Sequence, residues 1–198
     1  MAALLSPRTA SNPPSATVRF AQGLVLGSAA IAMGLIAGFF YAYACSVMFG
    51  LARVDDRTFI DTMQWINATV RNRWFAPGFF GALLLTALAV LLHLPRGRRR
   101  VLVWAAPAFA LYAAAFGITL GVNVPLNQEL AAAGDPALLR DPAAVRAAFE
   151  GPWTAWNTVR TVAATAALAC LLRALVVYGG APGPGARTTP GRSRPRRR

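Results

Sequence analysis

The residues of this chain that could do chemistry are few, and they gather near one level. Trp153, Trp156, Asn157 and Arg160 stand at i, i+3, i+4 and i+7 of one segment. That spacing puts all four on one face of a helix. Asn123 and Asn127 bracket Pro125 at the end of a second segment. Asn67, Asn72 and Trp74 lead into a third, and Tyr41 and Tyr43 lie near the end of a fourth. Amides, a guanidinium and indoles meeting at one height describe a pocket that is mostly apolar with a few convergent donors. Such a pocket suits a lipophilic small molecule.

Plainer readings stand beside this one. Trp and Tyr at a membrane boundary serve as anchors. Asn at a helix end serves as a cap, and Val124-Pro125 after Asn123 fits a helix terminus. Arg160 lies one turn inside an apolar run, a costly position for a charge. It either snorkels outward or faces the bundle and meets an acid or Asn157.

Other chemistries are excluded by composition. A single His rules out a His-rich metal site or a bis-His haem within one chain. Two Cys rule out a disulfide scaffold, and Cys45 and Cys170 read as small apolar packers. The sequence has no Walker loop, nucleophile elbow or HExxH motif. The glycines near the C-terminus precede no helix and read as a linker. His93 lies about 28 Å along its helix from Trp74 at 1.5 Å per residue. It reads as interfacial and too distant to act as a base for the polar cluster.

The elements that must carry the cluster are apolar and long. Of the 198 residues, 56% are hydrophobic and 14% charged. Soluble domains carry about 25% charged residues. Four runs reach the roughly 20 residues needed to cross a bilayer: 22–49, 74–94, 101–124 and 159–178. They are apolar all round, whereas a soluble four-helix bundle would keep polar outward faces. An all-α integral membrane four-helix bundle follows, over residues 21–178. Gly23, Gly27, Gly34 and Gly38 give small-xxx-small spacings that allow close helix approach. The inner halves of the runs hold little beyond Ala, Leu and Val.

Charge gives the orientation. The chain has 20 arginines, no lysine and seven acids, for a net +13. Arg8, Arg19, Arg96, Arg98, Arg99, Arg100, Arg173 and the tail arginines Arg187, Arg192, Arg194, Arg196, Arg197 and Arg198 fall on one side with no acid. The other side holds seven arginines and all seven acids. The positive-inside rule then places both termini in the cytoplasm, most simply in a plasma membrane. Residues 1–20 and 179–198 read as disordered cytoplasmic tails, the second strongly basic. That tail has no aromatic residue for base stacking, so it reads as a topology anchor touching anionic lipid headgroups and not as a nucleic-acid binder.

The two connections on the other side, 50–73 and 125–158, are long enough to need a purpose. Asp55 or Asp56 could cap a helix carrying Phe59, Met63, Ile66 and Val70 on one face. Asp141-Pro142 opens another, with Val145, Ala148 and Phe149 apolar. Both read as short interfacial helices lying over the mouth of the bundle.

Four stretches together resemble the anthrone oxygenase family of small membrane proteins, many known only as an uncharacterised domain. They are Gly38-Phe39-Phe40-Tyr41-Ala42-Tyr43 with Ser46-Val47-Met48; Met63-Gln64-Trp65-Ile66-Asn67; Asn123-Val124-Pro125-Leu126-Asn127; and Trp153-Thr154-Ala155-Trp156-Asn157-Thr158-Val159-Arg160-Thr161. Two positions depart from the family pattern: Phe49 stands where a Pro is usual, and Asn72-Arg73 where Asn-Pro is usual. The resemblance implies a four-helix membrane fold. For characterised relatives it implies oxidation of an anthrone to an anthraquinone by O₂, with no metal or flavin cofactor. On that reading Arg160, Asn157 and Asn123 stabilise an enolate oxygen, while Tyr41, Trp153 and Trp156 stack on the rings. Asn67 and Asn127 complete the substrate-binding set. The base is a carboxylate such as Glu150, or water. The other class of function is a non-catalytic membrane protein that binds a lipophilic small molecule or a partner. The bare inner half argues against a carrier, which keeps its binding groups near the midplane.

Overall fold

A computed structural model describes residues 15–94 and 99–180. Of the expected disordered tails, residues 1–14 and 181–198 lie outside the described residues, as does 95–98 of the loop; residues 16–20 and 179, expected in those tails, are instead helical, as the ends of the first and last helices. Within them the chain is helical, with no strand. The first helix, α1 (Ala16–Ala42), starts at Ser15, whose hydroxyl accepts from the Val18 N–H, and is carried through a π turn (Tyr43–Val47) into α2 (Met48–Leu51). Then follow α3 (Asp56–Thr69), α4 (Phe75–His93) and α5 (Arg99–Ile118). A second π turn (Thr119–Asn123) joins α5 to α6 (Val124–Ala132). A single 3₁₀ turn (Pro136–Leu138) precedes α7 (Pro142–Gly179).

Four continuous helical stretches are long and apolar enough to cross a membrane: Ala16–Leu51, Phe75–His93, Arg99–Ala132 and Pro142–Gly179. Their outward faces carry apolar side chains such as Phe20, Ile31, Leu35, Leu84, Val103, Val162 and Val176, all exposed. In a bilayer those faces meet acyl chains, which a helix tolerates because most of its backbone groups are paired internally. The chain is an all-α membrane bundle.

The bundle core is built from small residues. Buried Ala105, Ala108 and Ala115 of α5 and Ala164, Ala167 and Ala174 of α7 line the most extensive helix contact in the molecule. With little hydrophobic driving force between helices in lipid, close van der Waals packing through small side chains holds the pair. Leu26, Met33, Ile36 and Phe40 of α1 fill the wider side. Of the four spaced glycines in α1, only Gly23 stands in a tight approach: a Cβ there would meet Tyr178 Cε1 at 3.2 Å, while Gly27 and Gly38 face open space. The glycine spacing therefore marks one close contact and not a continuous seam. His93, the last residue of α4, is buried against Tyr178, its Nδ1 2.7 Å from the Ala89 carbonyl oxygen.

The end opposite the termini carries a second apolar layer. Phe59, Ile60 and Met63 of α3 pack against Leu130 of α6 and against Phe149 and Trp153 of α7. So α3 is a lid docked on protein, firmer than a helix resting on an interface. Its start is capped by Asp55, which accepts from the Arg57 and Thr58 amides at 3.1 Å each. Polar ties hold the lid down. Gln64 Nε2 donates to the Leu130 and Gly134 carbonyls at 2.8 and 3.0 Å. Arg57 donates to the Pro136 and Leu139 carbonyls. Arg146 bridges Asp56 (3.0 Å) and Glu150 (2.7 Å) and donates to the Val54 carbonyl at 2.9 Å.

The helix opened by Asp141-Pro142 is not a separate interfacial element. Asp141 caps α7, accepting from the Ala144 amide at 2.9 Å, and the helix runs on for 38 residues. It passes through Gly151-Pro152 because Phe149 and Trp153, on either side, stay buried on the same face. Packing there outweighs the backbone hydrogen bond that proline removes. At 1.5 Å per residue α7 is about 57 Å long, well beyond a hydrocarbon core of about 30 Å. Its first turns therefore stand clear of the bilayer and carry the lid.

Two outcomes follow. Ala167→Leu, which forces a larger side chain into the α5–α7 contact, lowers stability by about 1–3 kcal/mol. Leu172→Ala, on the exposed face, leaves it nearly unchanged; thermal unfolding of the detergent-solubilised protein checks both. The Thr58 hydroxyl and amide bonds hold the Asp55 carboxyl below its ordinary range. The charged form thus stabilises the start of α3 above the unfolded value of about 3.9, and that contribution is lost as pH falls through the lower folded value. Amide exchange at Arg57 and Thr58, corrected for intrinsic rates, accelerates over that fall.

Candidate functional site

The two π turns lie at the same end of the bundle and aim side chains inward. In the second, the Val124 N–H reaches back five residues to the Thr119 carbonyl. Pro125 follows at once and has no N–H to continue the regular ladder. The helix absorbs the proline as a wide turn and continues to Ala132. Asn123 is therefore not a terminal cap. It is buried, and its Nδ2 donates to the Trp153 carbonyl at 3.3 Å. In the first π turn the Met48 N–H reaches the Tyr43 carbonyl, and Tyr43 packs on Trp153 with ring centroids 5.3 Å apart.

Arg160 is the centre of the arrangement. It is only 5% exposed. Its Nη2 donates to Asn157 Oδ1 at 2.8 Å and its Nη1 to Thr119 Oγ1 at 3.2 Å. The guanidinium lies 4.5 Å from the Phe40 ring and 5.4 Å from the Trp153 ring. Asn157, fully buried, holds the guanidinium with its oxygen and donates from Nδ2 to the Phe40 carbonyl at 3.1 Å. Thr119 is fixed in turn by donating to the Ala115 carbonyl. Among the described residues no carboxylate pairs with Arg160, and its Nε has no hydrogen-bond partner.

Arg160 borders a cavity of about 590 Å³, within the range of small-molecule sites. Phe39, Phe40, Phe75, Phe79 and Phe80 supply an aromatic wall, with Phe75 and Phe79 stacked 5.1 Å apart and Phe79 and Phe116 4.6 Å apart. Tyr43, Gln64, Asn67, Thr119, Asn123 and Asn127 add polar points, and Arg71, Asn72 and Arg73 form the rim. Asn127 Oδ1 accepts from the Trp153 indole at 2.9 Å, which fixes the ring plane. Among the described residues no three His, Cys, Asp or Glu side chains come together.

The anticipated residues divide. Arg160, Asn123, Asn67, Asn127 and Trp153 line the cavity, and Asn157 stands behind Arg160 as its support. Trp156 and Tyr41 do not line it; they are 40% and 59% exposed. At 100° per residue Trp156 sits about 60° from Trp153 and about 100° from Asn157, so the four-residue stripe is too wide for one face. On α1 the same geometry selects Tyr43 over Tyr41. Glu150 is held by Arg146 and is not among the lining residues. The phenylalanine wall was missed; its signal was the i, i+4 pairs Phe39–Tyr43 and Phe75–Phe79, which look like ordinary core.

The profile of the anthrone oxygenase family matches residues 65–170, more than half of the chain, from α3 into α7. The chain belongs to the anthrone oxygenase family. The match spans Asn67, Asn123, Asn127, Trp153, Asn157 and Arg160. No curated protein and no solved structure matches significantly.

Asn157→Leu strands Arg160 Nη2 and removes the side-chain donor to the Phe40 carbonyl. It costs about 1–3 kcal/mol, read as a lower unfolding temperature, whereas Trp156→Leu at the exposed position shifts it little.

Proposed function

We propose that this family member is a membrane oxygenase that oxidises a flat lipophilic aromatic of anthrone type with O₂. The observation that carries this reading is a buried guanidinium, with no carboxylate beside it, bordering an aromatic cavity. A charge in that setting is costly unless a ligand brings the opposite charge. An anthrone does so when its central methylene loses a proton, because the negative charge then rests on the carbonyl oxygen. Arg160 stabilises that oxygen, with Asn123 close by, and the phenylalanine wall and Trp153 hold the rings. Among the described residues no carboxylate lines the cavity, so the proton leaves to water. The enolate passes one electron to O₂, and the resulting radical pair forms a carbon–oxygen bond. The hydroperoxide then loses its remaining methylene hydrogen as a proton, the O–O bond breaks, and a carbonyl forms with release of water. One anthrone and one O₂ thus give one anthraquinone and one water, with no metal or flavin required.

In this reading the protein lies in the plasma membrane with its termini in the cytoplasm, and its basic segments rest against anionic headgroups. The missing carboxylate also favours a second reading, a non-catalytic binder of the same lipophilic aromatics. Arg160→Ala in membranes lowers anthrone oxidation by about 10²–10³, and Arg160→Lys retains part of it. Anthraquinone absorbance at matched expression measures both. An unchanged rate in a folded Arg160→Ala protein removes the site; quinone retention without turnover in the wild type supports the binder.

A further inference from the structure

One side of the cavity wall faces outward. Phe80 of α4 and Leu120 of the second π turn both line the cavity, yet 51% and 52% of their surfaces are exposed. Both belong to stretches long and apolar enough to cross a membrane. Lower down, α4 and α5 are sealed together: Phe116 stacks on Phe79 at 4.6 Å and meets Phe80 at 5.9 Å. Above that seal the two chains part. The π turn redirects the helix, and α6 packs on α3 and α7, whereas α4 packs on α1 and α5. Phe80 lies five residues below the start of α4, about 8 Å at 1.5 Å per residue. That depth is inside a hydrocarbon core of about 30 Å.

The alternative route, over the rim, is polar and tied. Asn72 donates from Nδ2 to the Thr69 carbonyl at 2.9 Å, and its Oδ1 accepts from the Trp74 amide at 2.8 Å. Arg71 and Arg73 flank it. An apolar ring system would have to leave the bilayer and pass two guanidinium groups to use that route. Through the side it meets an unbroken apolar surface from Leu120 and Phe80 to Phe79, Phe40 and Arg160.

We propose that the cavity has a lateral opening between α4 and α6, through which a membrane-dissolved flat aromatic reaches Arg160 directly from the lipid. The identity of that aromatic rests on the oxygenase reading; the opening does not. Leu120 and Phe80 are its two jambs, and their bulk sets the passage rate.

The test uses full-length protein in phosphatidylcholine vesicles, with Cys45→Ser and Cys170→Ala to remove native thiols. Thr119→Cys places a thiol beside Arg160 at the inner end of the cavity, and Arg140→Cys serves as an exposed reference. N-phenylmaleimide partitions into lipid; a sulfonated maleimide does not. The apolar reagent labels Thr119→Cys, adding Leu120→Trp slows it about tenfold or more, and Arg71→Ala with Arg73→Ala leaves it unchanged. The sulfonated reagent labels Arg140→Cys readily and Thr119→Cys at least about tenfold more slowly. If Thr119→Cys does not purify as a folded species, Val124→Cys on the same wall replaces it. The opening is overturned if the sulfonated reagent labels both positions alike, or if Leu120→Trp leaves the apolar rate unchanged. Because the reagent is not an anthrone, the expected labelling pattern without anthrone turnover keeps the opening and discards the oxygenase.

Discussion

A guanidinium held among aromatic rings without a counter-ion is the constraint on which this structure turns. Arg160 is one turn inside the apolar part of α7, and every contact around it serves to keep it there. Asn157 and Thr119 accept from it, and Phe40 and Trp153 offer ring faces. None of these neutralises the charge. A carboxylate partner would make the site self-satisfied and indifferent to ligands. Neutral acceptors and π faces hold the cation without neutralising it.

The rest of the far end exists to hold that geometry. Two π turns, one at Tyr43 and one before Pro125, bring Tyr43, Thr119 and Asn123 toward α7. The lid α3 closes over them, and its ties run to backbone carbonyls of α6 and the following turns, so its position is set by main chain. Arg146 resolves its own charge with Asp56 and Glu150. Two of the three arginines of α7 thus differ at this end: Arg146 is paired with carboxylates, whereas Arg160 borders the cavity with no carboxylate beside it among the described residues. The same split holds Glu150 on Arg146, away from the cavity lining.

Much of this was legible in the chain itself. The membrane spans follow from run length and a cap at Asp55 or Asp56 from residue type, whereas for Arg160 the sequence left two directions open, outward to the interface or inward to Asn157, and the fold selects the inward one. What was not legible depended on angular detail and on continuity. A stripe at i, i+3, i+4 and i+7 spreads over about 100°, so its edge residue Trp156 turns to the outside while its centre stays in. Val124-Pro125 looked like an ending because proline usually stops a ladder, but a π turn carried the helix through. Gly151-Pro152 was crossed for a different reason, the shared burial of Phe149 and Trp153.

The sequence by itself determined that four apolar stretches span a bilayer and that amides, an arginine and indoles share one level, because both depend only on run length and local periodicity. Which of those side chains meet was decided by tertiary structure. Whether Tyr41 or Tyr43 enters the cavity turns on the helical phase of α1, which its packing against Trp153 sets. That is an outcome of packing between distant segments, where a rotation of a few tens of degrees exchanges lipid for cavity.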